Sequence, residues 1–151
     1  METKLIPSKT YFCVTTETTL NQLNEIADKE VGGLYEAVSK YGIKPEGPVE
    51  FIYIDCSADM SKPFTLHIAF PVATKKEIAD PKYKFIGFQD FKSCSYIHKG
   101  SLSNIFNIYE DLYNNIYKDG LQPSTQVREV YHKYVDMHSQ ENITEIQIGL
   151  N

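Results

Sequence analysis

The chain repeats itself, and a repeat constrains architecture before any single motif does. Leu34-Tyr35 and Lys40-Tyr41-Gly42-Ile43-Lys44-Pro45 match Leu112-Tyr113 and Lys118-Asp119-Gly120-Leu121-Gln122-Pro123 at a constant offset of 78 residues. The register runs on without a gap, setting Val49 on Val127, Tyr53 on Tyr131 and Ile68 on Ile146. A helix end, its turn and two following strands therefore recur together. Upstream the offset becomes 81, where Phe12-Cys13-Val14 falls on Ser93-Cys94-Ser95, and an insertion near the first helix accounts for the change.

Both copies read as strand, helix, strand, strand. In the second, Phe88 to His98 is a strand, and Ser101 to Ser103 supply helix N-cap candidates. Leu102, Ile105, Tyr109, Leu112, Tyr113 and Ile116 then recur at three-and-four spacing, the mark of an amphipathic helix. Gly120 offers a left-handed C-cap and Pro123 bars continuation, after which Val127 to Tyr134 and Ile143 to Leu150 alternate with period two. In the first copy the strand is Lys9 to Thr16, the helix runs from about Leu20 to Tyr41 across Gly32-Gly33, and the strands are Val49 to Asp55 and Pro63 to Val72. The predicted fold is α+β: two βαββ modules related by a pseudo-twofold axis, with antiparallel sheets forming a central ligand cleft between them. Residues 1–73 form the first module, 74–87 a linker, and 88–151 the second, within one domain. Lys75-Lys76 and Lys82 to Lys84, interleaved with Glu77 and Asp80, read as solvated linker charge.

A chain of 151 residues with 42% hydrophobic side chains can build a core without staples. Cys13, Cys56 and Cys94 are odd in number and form no Cys-x-x-Cys pair, so they read as reduced thiols. Fifteen basic against 20 acidic residues leave a net charge of −5 with no basic stripe, which argues against direct contact with nucleic acid. The opening lacks a signal-like run and no window is apolar enough for a membrane span, which points to the cytoplasm. No phosphate loop, nucleophile elbow or His-Glu-x-x-His run occurs, so neither a cofactor nor a metal is expected. Eleven Tyr and eight Phe without any Trp suit either a core or the wall of a ligand pocket.

The repeat also lets a residue be read against its counterpart. On the strand after Val127, alternation puts Val127, Glu129, Tyr131 and Lys133 on one face and Arg128, Val130, His132 and Tyr134 on the other. Glu129 occupies the slot that Phe51 fills in the first copy. A carboxylate has replaced a core aromatic, and an ionised Glu in an apolar wall costs several kcal/mol unless paired. It must neutralise or receive a cation. The alternative is a bulge that shifts the alternation and leaves Glu129 solvated or paired with Arg128 or Lys133.

Tyr96-Ile97-His98-Lys99-Gly100-Ser101-Leu102, then Tyr109-x-x-Leu112-Tyr113, Gly120-Leu121-x-Pro123 and Arg128-Glu129-Val130-Tyr131, together resemble the GyrI-like effector-binding family. These are the ligand domains of AraC- and MerR-type regulators, found also as stand-alone proteins. The likeness spans nearly the whole chain, since Leu34-Tyr35, Gly42-x-x-Pro45 and Phe51-Ile52-Tyr53 fit it too. It implies two βαββ units around a cleft for small organic molecules, often cationic and aromatic. Glu129 falls at the family's ligand-facing glutamate, with Tyr131, Tyr53, Phe51 and Tyr96 as aromatic walls for stacking and cation–π contact. The turn lacks the aromatic residue common after it in the family, and no Trp is present.

The resemblance implies a small-molecule binder acting on transcription through a protein partner. Some stand-alone relatives are hydrolases, and in that case Glu129 would activate water as general base while Tyr131 positions the substrate. A gyrase-inhibitor-like protein-interaction role is the third reading. His98, closing a strand before a glycine turn, is expected to bond backbone at the helix start. SOUL-type haem proteins share the duplicated architecture, but the spacing of His67, His98, His132 and His138 gives no support for axial ligation. Tyr109, Tyr113 and Tyr117 read as helix-to-sheet packing without chemistry.

Overall fold

The computed structural model describes all residues, 1–151. Its strands are β1 (Glu2–Ile6), β2 (Lys9–Thr18), β3 (Glu50–Ile54), β4 (Phe64–Val72), β5 (Tyr83–Phe88), β6 (Phe91–Lys99), β7 (Pro123–Lys133) and β8 (Ile143–Leu150). The helices are α1 (Leu23–Lys40), entered through a short 3-10 turn at Leu20–Gln22, and α2 (Ile105–Lys118). α2 begins later than expected, with Asn104 rather than Ser101 or Ser103 at its N-cap and no side-chain cap bond. Ser101 Oγ instead accepts the Ser103 backbone N–H at 3.1 Å, so its capping capacity closes the turn ahead of the helix. Gly120 ends α2 at φ 75°, the left-handed conformation only glycine adopts freely.

All eight strands form one antiparallel sheet in the order β1-β6-β8-β7-β3-β4-β2-β5. The expected pair of sheets is thus joined through β3 and β7 into one. The order reads the same from either end when each strand is exchanged with the one four places along the chain. Two strands missed in the sequence, β1 and β5, complete this symmetry. Each precedes its own half's first strand, yet pairs across to the other half: β1 with β6, β5 with β2. The offset of 81 carries Glu2↔Ser95 onto Tyr83↔Val14. Residues 83–87 of the expected linker therefore belong to an edge strand. Its lysines are also engaged, Lys82 Nζ lying 3.2 Å from Glu30 and Lys76 Nζ donating to the Tyr41 carbonyl.

Both helices pack on one face. Leu34 and Ala37 of α1 join Phe12, Val14, Leu66, Ile68 and Phe70 in the larger core cluster. Leu112 and Ile116 of α2 meet Cys94, Ile146 and Ile148 in the smaller one. β3 and β7 lie where the clusters meet.

The other face carries no helix, yet Arg128 on β7 is only 1% exposed there. Its guanidinium carbon lies 4.1 Å from the ring centre of Phe91 on β6 and 5.5 Å from that of Phe88 on β5. In a flat sheet β5 would stand about 19 Å from β7, four strand spacings away. The sheet is therefore rolled around this face. One arginine and the aromatic ends of β5 and β6 fill the roll, with Tyr11, Cys13, Ile52 and Ala69 as a third core cluster. All three cysteines are free, and Cys13 and Cys94 are buried.

β7 is irregular between Pro123 and Val127. There it presses on Gly149 of β8, where a Cβ would lie 2.7 Å from the Gln126 carbonyl oxygen and 2.8 Å from the Phe91 ring. Gly149→Ala is expected to lower folding stability by about 1–3 kcal/mol, as overpacking does, in urea titrations with an unchanged m-value.

Candidate functional site

Ladder register sets the site. Tyr96 faces Ile146, Ile146 faces Glu129, Glu129 faces Phe51, and Phe51 faces Ile68, so these side chains form one row on the helix-bearing face. Phe51 and Glu129 are 78 residues apart and lie directly opposite each other. The repeat's substitution of aromatic by carboxylate thus sits on the symmetry axis of the strand pairing.

Glu129 is 6% exposed. The Tyr53 hydroxyl donates to its Oε1 at 2.9 Å, the Tyr131 hydroxyl to the same oxygen at 2.5 Å, and the Tyr109 hydroxyl to Oε2 at 2.5 Å. Tyr53 comes from β3, Tyr131 from β7 and Tyr109 from α2. Phe51 packs edge-on against Tyr131 at 4.9 Å between ring centres, and Phe64 backs Tyr53 at 5.7 Å. Tyr113 stacks on Tyr109 at 6.4 Å. Tyr96 lies one strand beyond, separated from Glu129 by Ile146, and packs with the α2 cluster.

No cation reaches this carboxylate. None of the four ion pairs in the molecule includes Glu129. The alternative of a bulge with Arg128 or Lys133 as partner fails on geometry. The bulge in this part of β7 lies beyond Glu129, between Tyr131 and Lys133. Arg128 points to the opposite face, donating to Gln126 Oε1 and the Tyr11 hydroxyl, and Lys133 pairs with Glu141 at 3.3 Å. Thr144, facing Tyr131 in the ladder, is fully buried and its hydroxyl has no hydrogen-bond partner.

The expected cleft is closed at this point by the protein's own tyrosines. Two grooves, of about 310 and 840 Å³, lie elsewhere, and neither is lined by Glu129 or by the tyrosines that bond to it. Tyr109 is the residue that sequence reasoning missed. Its three-and-four spacing showed a sheet-facing helix side; that its hydroxyl would end on a carboxylate depended on where α2 lands across β7. Tyr117 of the same stripe is 58% exposed and takes no part. His98 behaves as expected, its Nε2 lying 2.8 Å from the Ser101 carbonyl at the approach to α2.

Burial, then the Glu129 charge, pushes the phenols of Tyr53, Tyr109 and Tyr131 well above the ordinary tyrosine range. They stay protonated and available as donors. The Cys56 thiol is likewise pushed up to about 11 by burial and then by Glu129.

No family model and no curated protein matches the sequence. Solved structures do match the fold. SAV2435 bound to tetraphenylphosphonium superposes with a TM-score of 0.69 at 18% identity, over 100% of this chain and 94% of that one. EcmrR in a DNA complex gives 0.80 at 18% identity over 99% of this chain, which spans only 56% of that one. The fold is the GyrI-like one. A hydrolase encoded by lin2189 of Listeria innocua shares it too, with a TM-score of 0.66 at 14% identity over 99% of this chain and 91% of that one. Within the GyrI-like fold, no helix here is long and apolar enough to cross a membrane.

The raised phenols carry a pH signature. Below about pH 10 folded and unfolded chains both hold these protons, so stability is unaffected by them. Above it the unfolded chain loses them and the native one does not, so stability falls as pH rises. Three such groups give a slope approaching about 4 kcal/mol per pH unit. In urea titrations from pH 9 to 11, Tyr109→Phe is expected to make that fall shallower, by up to about 1.4 kcal/mol per pH unit for the one phenol removed.

Proposed function

We propose that the protein is a small-molecule effector domain that binds a lipophilic, delocalised cation against Glu129. The observation that carries this reading is a buried carboxylate with three hydroxyl donors, aromatic walls and no counter-charge. Hydroxyls meet its hydrogen-bonding demand but leave its charge uncompensated, so a desolvated cation gains Coulomb energy there as well as aromatic contact. Tyr53, Tyr131 and Phe51 are the proposed walls. Tyr109 is the proposed gate, because α2 can shift as a unit while β3 and β7 are fixed in the centre of the sheet. Tyr96 lies at the far margin, where it would meet only a bulky ligand.

The fold neighbour holding tetraphenylphosphonium supports the ligand class, and the EcmrR–DNA complex supports a link to transcription. With a net charge of −5, any effect of this domain on DNA would run through a partner or a further segment. A second reading, a hydrolase with Glu129 as general base and Tyr131 positioning substrate, draws on the Listeria neighbour. The geometry favours binding. A general base needs a free oxygen toward water, whereas both oxygens of Glu129 already accept hydroxyls.

Thermal-shift titration with tetraphenylphosphonium separates the readings, since a ligand of the native state raises its stability by mass action. Wild type is expected to be stabilised, and Glu129→Gln to bind at least tenfold more weakly, about 1.4 kcal/mol. Binding that survives Glu129→Gln, with loss of hydrolytic turnover, would favour the enzyme. The absence of any shift in wild type would end the cation reading.

A further inference from the structure

The loop between β7 and β8, residues 134–142, touches the Glu129 site from two sides. Its first residue, Tyr134, packs edge-on against Tyr131 at 6.0 Å between ring centres, and Tyr131 donates to Glu129 Oε1. Further along, the Met137 carbonyl accepts the Leu102 N–H at 2.8 Å and the Ser101 hydroxyl at 3.3 Å, just ahead of α2, whose Tyr109 donates to Glu129 Oε2. His138 Nδ1 lies 2.8 Å from the Ser103 hydroxyl.

This end of α2 needs such a hold. Asn104 at its N-cap makes no side-chain cap bond, so the first N–H groups of the helix receive nothing from the residue that would ordinarily fix them. The two buried residues of α2, Leu112 and Ile116, lie in its second half, whereas Ile105 and Ile108 ahead of Tyr109 are only half-buried. Apolar packing thus anchors the far end of the helix, and the loop anchors the end from which Tyr109 reaches Glu129.

One side chain holds the loop itself. Asn142 is fully buried: its Oδ1 accepts the Val135 N–H at 2.9 Å, its Nδ2 donates to the Asp136 carbonyl at 2.6 Å, and its own carbonyl accepts the Gly100 N–H at 2.8 Å. The repeat supplies a control. In the first half the equivalent loop makes the same helix contact, the Met60 carbonyl accepting the Asn21 N–H at 3.1 Å, and Asp59 and Asp136 each accept the N–H two residues on. Yet the offset of 78 sets Asn142 on the apolar Phe64, and Tyr109 on Val31. The buried amide occurs only in the half whose helix must land a hydroxyl on a carboxylate.

We propose that Asn142 is a positioning residue of the Glu129 site: by fixing the loop it fixes the entry of α2, and so sets where the Tyr109 hydroxyl lands. Asn142 makes no hydrogen bond to Glu129 or to its three tyrosines, and it acts through Met137 and Leu102. The proposal rests on the reading of Glu129 as a cation site with Tyr109 as its gate, and it makes the loop the latch of that gate. Tyr134 and Val135, 53% and 52% exposed, carry the latch to the surface.

The test is an NMR pH titration of the full chain carrying ring-labelled tyrosine, with the Tyr109 and Tyr53 signals assigned by their loss in Tyr109→Phe and Tyr53→Phe. In Asn142→Ala the Tyr109 phenol is expected to titrate at least about one pH unit earlier than in wild type, toward the ordinary tyrosine value, while Tyr53, fixed by β3, stays as it was. Tyr109 unmoved, or Tyr109 and Tyr53 moving together, overturns the proposal, since α2 is then placed by its own packing or the whole fold has loosened. Where Asn142→Ala does not fold, Ser101→Ala/Ser103→Ala, which keeps Asn142 and cuts side-chain ties to the loop, is expected to shift Tyr109 the same way by less, and the same outcomes overturn it. A second readout is affinity for tetraphenylphosphonium. Asn142→Ala should bind it several-fold more tightly despite lower stability, because less opposes the displacement of Tyr109; equal or weaker binding than wild type overturns the proposal. Wild type that binds no tetraphenylphosphonium ends the cation reading alone, and the phenol titration, read without ligand, still decides the role of Asn142.

Discussion

The ladder between β3 and β7 is the interaction on which the rest depends. It joins two equivalent sets of strands into one sheet, and it does so about an axis that passes between Phe51 and Glu129. Five residue pairs align there, from Glu50↔Val130 to Ile54↔Gln126. A one-residue slip would turn Glu129 to the helix-free face and bring Arg128 under α2. The hydrophobic pattern forbids that slip, because Val127 and Tyr131 would leave the core with it.

Exchange of β1 and β5 strengthens the same union. Each half lends its first strand to the far edge of the other, so neither half closes its sheet alone. The exchange also brings Phe88 and Phe91 to the ends of the roll, where they enclose Arg128. A buried guanidinium without a carboxylate in ion-pair range would be costly. Here ring faces and the Tyr11 hydroxyl meet it, and Tyr11 passes the contact on to Glu50. Burial, opposed by the charges on Tyr11 and Glu50, lowers the Arg128 pKa from its ordinary value.

β7 thereby carries opposite charges on opposite faces at consecutive positions. Arg128 is satisfied within the protein. Glu129 is satisfied in hydrogen bonds but not in charge, and the tyrosines around it come from three different elements. Such a site is preorganised on the sheet side, where Tyr53 and Tyr131 are fixed by the ladder. On the helix side it depends on one side chain of α2, the Tyr109 hydroxyl on Oε2.

The sequence by itself determined the repeat, the α+β class, the two helices and the strands that follow them, because local alternation and turn chemistry act within a few residues. It also singled out Glu129, since the repeat supplies Phe51 as an internal control at the same slot. It did not disclose β1 or β5. Both are short edge strands, and what makes them strands is pairing with β6 and β2 far along the chain rather than any period of their own. Tyr109 was legible as a sheet-facing residue, but its role hangs on the landing of α2, a tertiary fact. The closure of the cleft by tyrosines and the burial of Arg128 likewise follow from how the sheet rolls. A rolled sheet brings side chains together across several strand spacings, and no spacing along the sequence records that distance.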